Sequence, residues 1–179
     1  MNIAVNLDQA ASHLPDHVAI IEADRSVTFS EFHRDANRVA SALVGLGLQP
    51  GDFVALCAPN SYAWLVFYFG AIKTGAVAVT FSHLLTKDEL DKTLADCQPK
   101  VLFTADEKLD DLGDSRERPN PELVICGQGD ISFLRLAEKG TASFTTVDRD
   151  RHDTAAILYT GGTTGIPKGA MLTHQNIQT

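Results

Sequence analysis

The chain has 179 residues with 23 acidic and 15 basic side chains, a net charge of −8 and no basic block, which excludes a surface that tracks nucleic acid by counterion release. Hydrophobic residues make up 44% and charged residues 21%, enough apolar material for a core and too much for a disordered chain. Cys57, Cys97 and Cys126 are widely spaced and form neither a metal pattern nor a disulfide framework, which fits a reducing compartment. No basic segment followed by a long apolar one opens the chain, and the most apolar stretch, residues 62–72, stops at Lys73 and is too short to cross a bilayer. The expectation is a soluble, acidic, cytoplasmic α/β protein.

Residues 18–21 form a short β-branched run closed by Asp24-Arg25. Val27-Thr28-Phe29 then leads into a helix, with Thr28 and Glu31 spaced as a capping box: the hydroxyl takes an orphan amide and the carboxylate reaches back. Phe32, Ala36, Val39, Ala40, Leu43 and Leu46 recur at helical spacing as one apolar stripe, and Gly45, Gly47 and Pro50 end it. Residues 53–58 read as a buried strand. Asn60 or Ser61 can cap an aromatic-rich helix running to about Lys73, and Gly75 releases the chain into a strand over 76–81. Thr86 and Glu89 repeat the capping-box spacing for a helix over 86–97. Residues 101–104 and 123–126 are further short strands, and the polar stretch 105–121 between them reads as a loop. Short strands alternating with helices predict a mixed, largely parallel sheet flanked by helices, joined by right-handed crossovers.

The chemistry is concentrated near the C-terminus. Two apolar runs, 155–159 and 170–172, bracket Thr160-Gly161-Gly162-Thr163-Thr164-Gly165-Ile166-Pro167-Lys168-Gly169, which holds four glycines, three threonines, a proline and a lysine. Without a Cβ, glycines let successive amides turn inward as an anion-binding concavity. Threonine hydroxyls add donors or reach a magnesium ion held by phosphates, and Lys168 supplies a cation at the rim. At about 4 Å from a phosphate oxygen that cation is worth roughly 4 kcal/mol at an effective dielectric near 20, before desolvation. The pattern is not a Walker A loop, because Pro167 precedes Lys168 and Gly169 follows it, and an extended run rather than a helix comes next. The plainer alternative is a Gly/Thr-rich turn between two strands.

The stretch from Tyr159 to Gly169 resembles the phosphate-loop signature of the acyl-adenylate-forming (AMP-binding) enzymes: acyl-CoA synthetases, luciferases and the adenylation domains of peptide synthetases. Gly161 stands where that family usually has serine. The double glycine, followed by Gly169-Ala170-Met171-Leu172-Thr173-His174, is similar to bacterial long-chain fatty acyl-CoA synthetases. Two weaker elements lie upstream in the family's order: Val27-Thr28-Phe29-Ser30-Glu31-Phe32, and Ala71-Ile72-Lys73-Thr74-Gly75 followed by Ala76-Val77-Ala78-Val79, with Thr80 where a proline is usual.

The resemblance implies that a carboxylate attacks the α-phosphate of MgATP to give an acyl-adenylate and pyrophosphate, after which a thiol, usually coenzyme A, displaces AMP. It implies that Thr160, Gly161, Gly162, Thr163, Thr164, Gly165 and Lys168 hold the β- and γ-phosphates. Lys168, Thr163 and Thr164 would stabilise the transition state, and Thr163 or Thr164 would supply the only, indirect, contact to Mg2+. Gly161 offers its amide alone. On this reading residues 1–179 are the N-terminal part of an adenylation domain. The adenine, ribose and catalytic-lysine elements and the small C-terminal domain have no counterpart here, so the chain by itself is expected to be inactive. Half a domain leaves a sheet edge and an apolar face uncovered, which predicts self-association. A non-catalytic phosphate-binding remnant and a ligase loading a carrier-protein thiol are the alternatives, with a fatty acid as the expected substrate. A peripheral place at the membrane is the alternative to a purely cytoplasmic one.

Other residues read as structural. His13 and His17 flank Pro15 without a third ligand, and Gly45-x-Gly47 and Gly127-x-Gly129 lack the third glycine of a dinucleotide fingerprint. The three cysteines lie in or beside apolar runs and read as small buried hydrophobes. The aromatics of residues 62–69 read as core packing, and His174 as a surface residue at a helix start.

Overall fold

In the computed structural model, which describes residues 1–112, 121–160 and 168–178, a helix at Val5–His13 (α1) precedes an antiparallel ribbon of Val18–Glu22 (β1) and Arg25–Thr28 (β2). The next helix, Phe29–Gly45 (α2), opens on the predicted capping box: Glu31 N–H donates to Thr28 Oγ1 at 3.2 Å, and Thr28 N–H donates to the Glu31 carboxylate at 2.9 Å. Thr28→Ala is expected to cost about 0.5–2 kcal/mol in urea unfolding, and an unchanged midpoint would show the cap to be idle. Strand Phe53–Cys57 (β3) follows, then Tyr62–Lys73 (α3), capped by Ser61, whose hydroxyl accepts from Trp64 N–H at 3.1 Å. Strand Val77–Thr80 (β4), helix Lys87–Cys97 (α4) and strand Val101–Thr104 (β5) continue the alternation. At the start of α4 the Glu89 carboxylate accepts from Thr86 N–H at 2.9 Å.

The stretch read as a loop after β5 is partly helical: Asp106–Lys108 is a 3-10 turn and Leu109–Leu112 a single α turn (α5). Leu112 is buried, and that tertiary anchor orders a segment whose polar composition gives no helical signal. Residues 113–120 of the same stretch lie outside the described residues. The chain ends with Leu123–Ile125 (β6), Phe133–Lys139 (α6), Thr154–Thr160 (β7), Lys168–Thr173 (β8) and His174–Gln178 (α7).

Six strands form one sheet in the order β6-β5-β3-β4-β7-β8, parallel except for β8, which runs antiparallel to β7. The mixed, largely parallel sheet flanked by helices is therefore the architecture that the alternation predicts. Side chains alternate between its faces, as strand geometry requires. Val54, Leu56, Ala78, Val101 and Phe103 join α1, α2, α3 and α6 in one core. Ala55, Cys57, Val79, Leu102 and Ile157 join α4 in the other. The aromatic cluster is largely core: Phe67 is buried and stacks on Phe103 with centroids 4.7 Å apart. Of the α2 stripe only Leu46, the C-cap, is exposed. All three cysteines are buried and free, and burial pushes the Cys57 and Cys126 thiols up to about 11 and that of Cys97 to about 12. Among the described residues no helix is long and apolar enough to cross a membrane.

Candidate functional site

Strands β3, β4 and β7 all end on one edge of the sheet, the edge at which open α/β sheets bind ligands. Asn60, Trp64, Phe81, His83, Tyr159 and Thr160 are among the residues that line a crevice of about 290 Å³ there. The β7–β8 pairing brings the two described ends of the Gly/Thr-rich segment, Thr160 and Lys168, together at this edge. The register runs Leu158 opposite Ala170, Tyr159 opposite Gly169 and Thr160 opposite Lys168. The segment's two ends therefore face each other across the ladder, both exposed.

Two features fix the neck of this hairpin. Tyr159 packs edge-on against Phe81 at 6.2 Å, and its hydroxyl donates to the Asp96 carboxylate. Burial raises the Tyr159 pKa, and the hydrogen bond to Asp96 raises it further, so the phenol stays protonated. Opposite it, a Cβ on Gly169 would lie 2.6 Å from Ile157 Cγ2 and 3.2 Å from the Tyr159 ring. Glycine is the residue that lets β8 pass over that ring.

Of the residues proposed from sequence, Thr160 and Lys168 are brought together as facing neighbours at the neck. Gly161, Gly162, Thr163, Thr164 and Gly165 lie outside the described residues. Among the described residues no cluster of three or more His, Cys, Asp or Glu side chains is placed to hold a metal ion. Among the described residues His13 and His17 do not converge on a third ligand; His13 Nδ1–H donates to Gln9 O, 2.8 Å away on its own helix.

Behind the sheet lies a polar knot that the sequence does not announce. The Lys73 side chain is fully buried; its ammonium donates to the Asp8 carboxylate and, at 2.9 Å, to Thr146 Oγ1. Thr146 in turn donates to Asp8 at 2.7 Å, and His33 Nε2 lies 3.1 Å from Asp8 Oδ1. Burial alone would raise the Asp8 pKa, but hydrogen bonds from Lys73 and Thr146 and the charges of Lys73 and His33 hold it below 3.8. His174, read from sequence as a surface residue, is 1% exposed. Its partner, the backbone of Ile3, is 171 positions away, so local sequence could not reveal the burial.

The chain matches the profile of the AMP-binding enzymes over residues 7–179. It belongs to that family. It is 33% identical over 171 residues to the fatty acid–[acyl-carrier-protein] ligase ScoC of Streptomyces coeruleorubidus, covering 93% of this chain and 32% of the relative. It is 32% identical over 179 residues to the long-chain-fatty-acid–CoA ligase FadD13 of Mycobacterium tuberculosis, covering 98% of this chain and 36% of that enzyme. Among solved structures, the anthranilate CoA ligase AuaEII in complex with anthranoyl-AMP aligns with a TM-score of 0.91 at 30% identity, over 98% of this chain and 35% of AuaEII. This chain thus spans about a third of the length of the curated relatives it matches. ScoC, FadD13 and AuaEII are each named as a ligase that acts on an acid, and the acids so named differ among them.

Proposed function

We propose that this chain carries the phosphate-holding hairpin of an ATP-dependent acid–thiol ligase. In the first half-reaction a carboxylate oxygen bonds to the α-phosphorus of ATP, the bond from that phosphorus to the α,β-bridging oxygen breaks, and pyrophosphate departs with that oxygen, leaving an acyl-adenylate. In the second, a thiolate sulfur bonds to the acyl carbon and AMP leaves. Thr160, Gly161, Gly162, Thr163, Thr164, Gly165 and Lys168 hold the β- and γ-phosphates, and Thr163 or Thr164 reaches the Mg2+ that travels with them. A leaving group of that charge is stabilised by prearranged amides, hydroxyls and a cation, with no covalent work for the protein. The observation that supports this reading is the pairing of Thr160 with Lys168 at the carboxyl ends of the parallel strands, which puts a lysine at the neck of a segment rich in glycine and threonine.

Likeness to ScoC and FadD13 favours a fatty acid as the carboxylate. Coenzyme A is the proposed acceptor, as for FadD13; the likeness to ScoC supports a carrier-protein thiol as the second reading. Acyl-adenylate formation by residues 1–179 alone is not expected, and fatty-acid-dependent exchange of pyrophosphate into ATP by this chain would overturn that. Calorimetric titration with Mg-pyrophosphate tests the phosphate site directly. Lys168→Ala, which removes an exposed cation, is expected to weaken binding about tenfold at unchanged thermal stability. No binding by the unaltered chain, or equal affinity in the variant, would refute the assignment.

A further inference from the structure

The hairpin of β7 and β8 is held by the sheet on one side only, since β8 is the edge strand. Its two roots are both fastened by one short stretch at the start of the chain. On the incoming side, the buried Asn2 donates through Nδ2 to Val147 O at 3.0 Å and to Ile72 O at 2.7 Å, and Val147 N–H donates to Lys73 O at 2.9 Å. Asp8 and Lys73 grip Thr146 one residue earlier. On the outgoing side, Ile3 N–H donates to His174 Nδ1 at 3.1 Å, and His174 N–H donates to Asp153 O at 3.1 Å. The Asn2 side chain closes its own turn by accepting from Ala4 N–H at 2.9 Å.

We propose that residues 2–8, with Lys73, form a clamp at the base of this hairpin that sets the position of Thr160 and Lys168, with Asn2, Asp8 and His174 as positioning residues. The inference rests on the phosphate reading only for what the hairpin's tip binds. Pairing with β4 holds β7 only as far as Leu158, and β8 is held by β7 alone, so a shift at the base of β8 passes along the β7–β8 ladder to Thr160 and Lys168. Displacements of about 1 Å already matter for a prearranged site.

The clamp is also sensitive to acid. Nδ1 accepts from Ile3 only when His174 is neutral. Burial lowers its pKa from 6.5; the charges of Arg149 and the Met1 amine lower it further, and Asp153 opposes them. A depressed histidine pKa contributes stability that is complete above 6.5 and is lost as pH falls through the folded value, so protonation of His174, which removes the acceptor for Ile3 N–H, loosens the clamp on acidification.

Amide hydrogen exchange on the full chain tests this without any ligand. Asn2→Ala and His174→Leu are expected to speed exchange in β8 about tenfold and leave β3 unchanged. His174→Asn, whose Oδ1 can take the place of Nδ1, is expected to restore protection at neutral pH and to abolish its loss below pH 6.5. Equal acceleration in β3 and β8, no acceleration, or no rescue by asparagine would overturn the clamp. Titration with Mg-pyrophosphate adds the functional arm: weaker binding by Asn2→Ala and His174→Leu is expected, and unchanged affinity would overturn the positioning role. If the unaltered chain binds no pyrophosphate, the phosphate reading falls, and exchange alone decides the clamp.

Discussion

Lys73→Met is expected to lower the unfolding free energy by about 3 kcal/mol, the lower end of the range for removing one partner of a buried ion pair. The lower end applies because Asp8 keeps 30% of its side chain exposed while Lys73 keeps none. Domains of this kind are stable by only about 5–15 kcal/mol, so the loss is a large share. The cost comes from what stays behind: a carboxylate that faces Thr146 and His33 without its cation. Replacing both partners, as in Asp8→Leu with Lys73→Met, is expected to recover at least half of the loss, because no unpaired charge remains. Acid distinguishes the pair from simple packing. Asp8 titrates below 3.8 when folded, so its contribution is complete above 3.8 and disappears as pH falls through the folded value. Unfolding curves for the wild type should therefore approach those of Lys73→Met at the acid end. Parallel curves at all pH values would show that Lys73 acts through its methylenes alone.

This knot also marks where local sequence stops being informative. Helices α2 and α4 were legible because their start signals and stripes lie within a few residues of one another: Thr28 with Glu31, Thr86 with Glu89. The strands were legible because parallel strands buried on both faces read as short apolar runs. Helix α1 offers no such signal. Its N-cap is Ala4, which makes no side-chain hydrogen bond, and Leu7 is its one buried residue; contacts from Asp8 to Lys73 and Thr146 hold it in place. Helix α6 has seven residues, too few for a stripe, although Ser132, which caps it by accepting from Arg135 N–H at 3.3 Å, was a usable signal. At the site, the two flanking apolar runs predicted the strands, and Lys168-Gly169 predicted an unusual end. That Gly169 must clear Tyr159 depends on cross-strand register, which composition does not encode.

Gly140→Ala is expected to destabilise the chain by about 3 kcal/mol, at the upper end for overpacking, whereas Gly45→Ala should gain up to about 1 kcal/mol. Backbone conformation does not call for glycine at 140, since φ is −85° and ψ 155°. Space does. A Cβ there would lie 1.8 Å from the Arg38 carbonyl oxygen and 2.5 Å from its carbon, backbone against backbone. No rotamer change relieves such a contact, so the segment must lift from α2. Lifting strains the two bonds that follow, Thr141 Oγ1 to Ser41 Oγ at 3.2 Å and Asn37 Nδ2 to Ala142 O at 3.0 Å. It also pulls on the buried α6 residue Leu136. Gly45, the last residue of α2, has nothing within 4 Å of its Cβ position, so alanine there changes only the entropy of the unfolded chain and the helix propensity. Urea unfolding of the two variants should move in opposite directions. Shifts of the same sign would mean that general glycine effects, and not the contact with Arg38, decide the outcome.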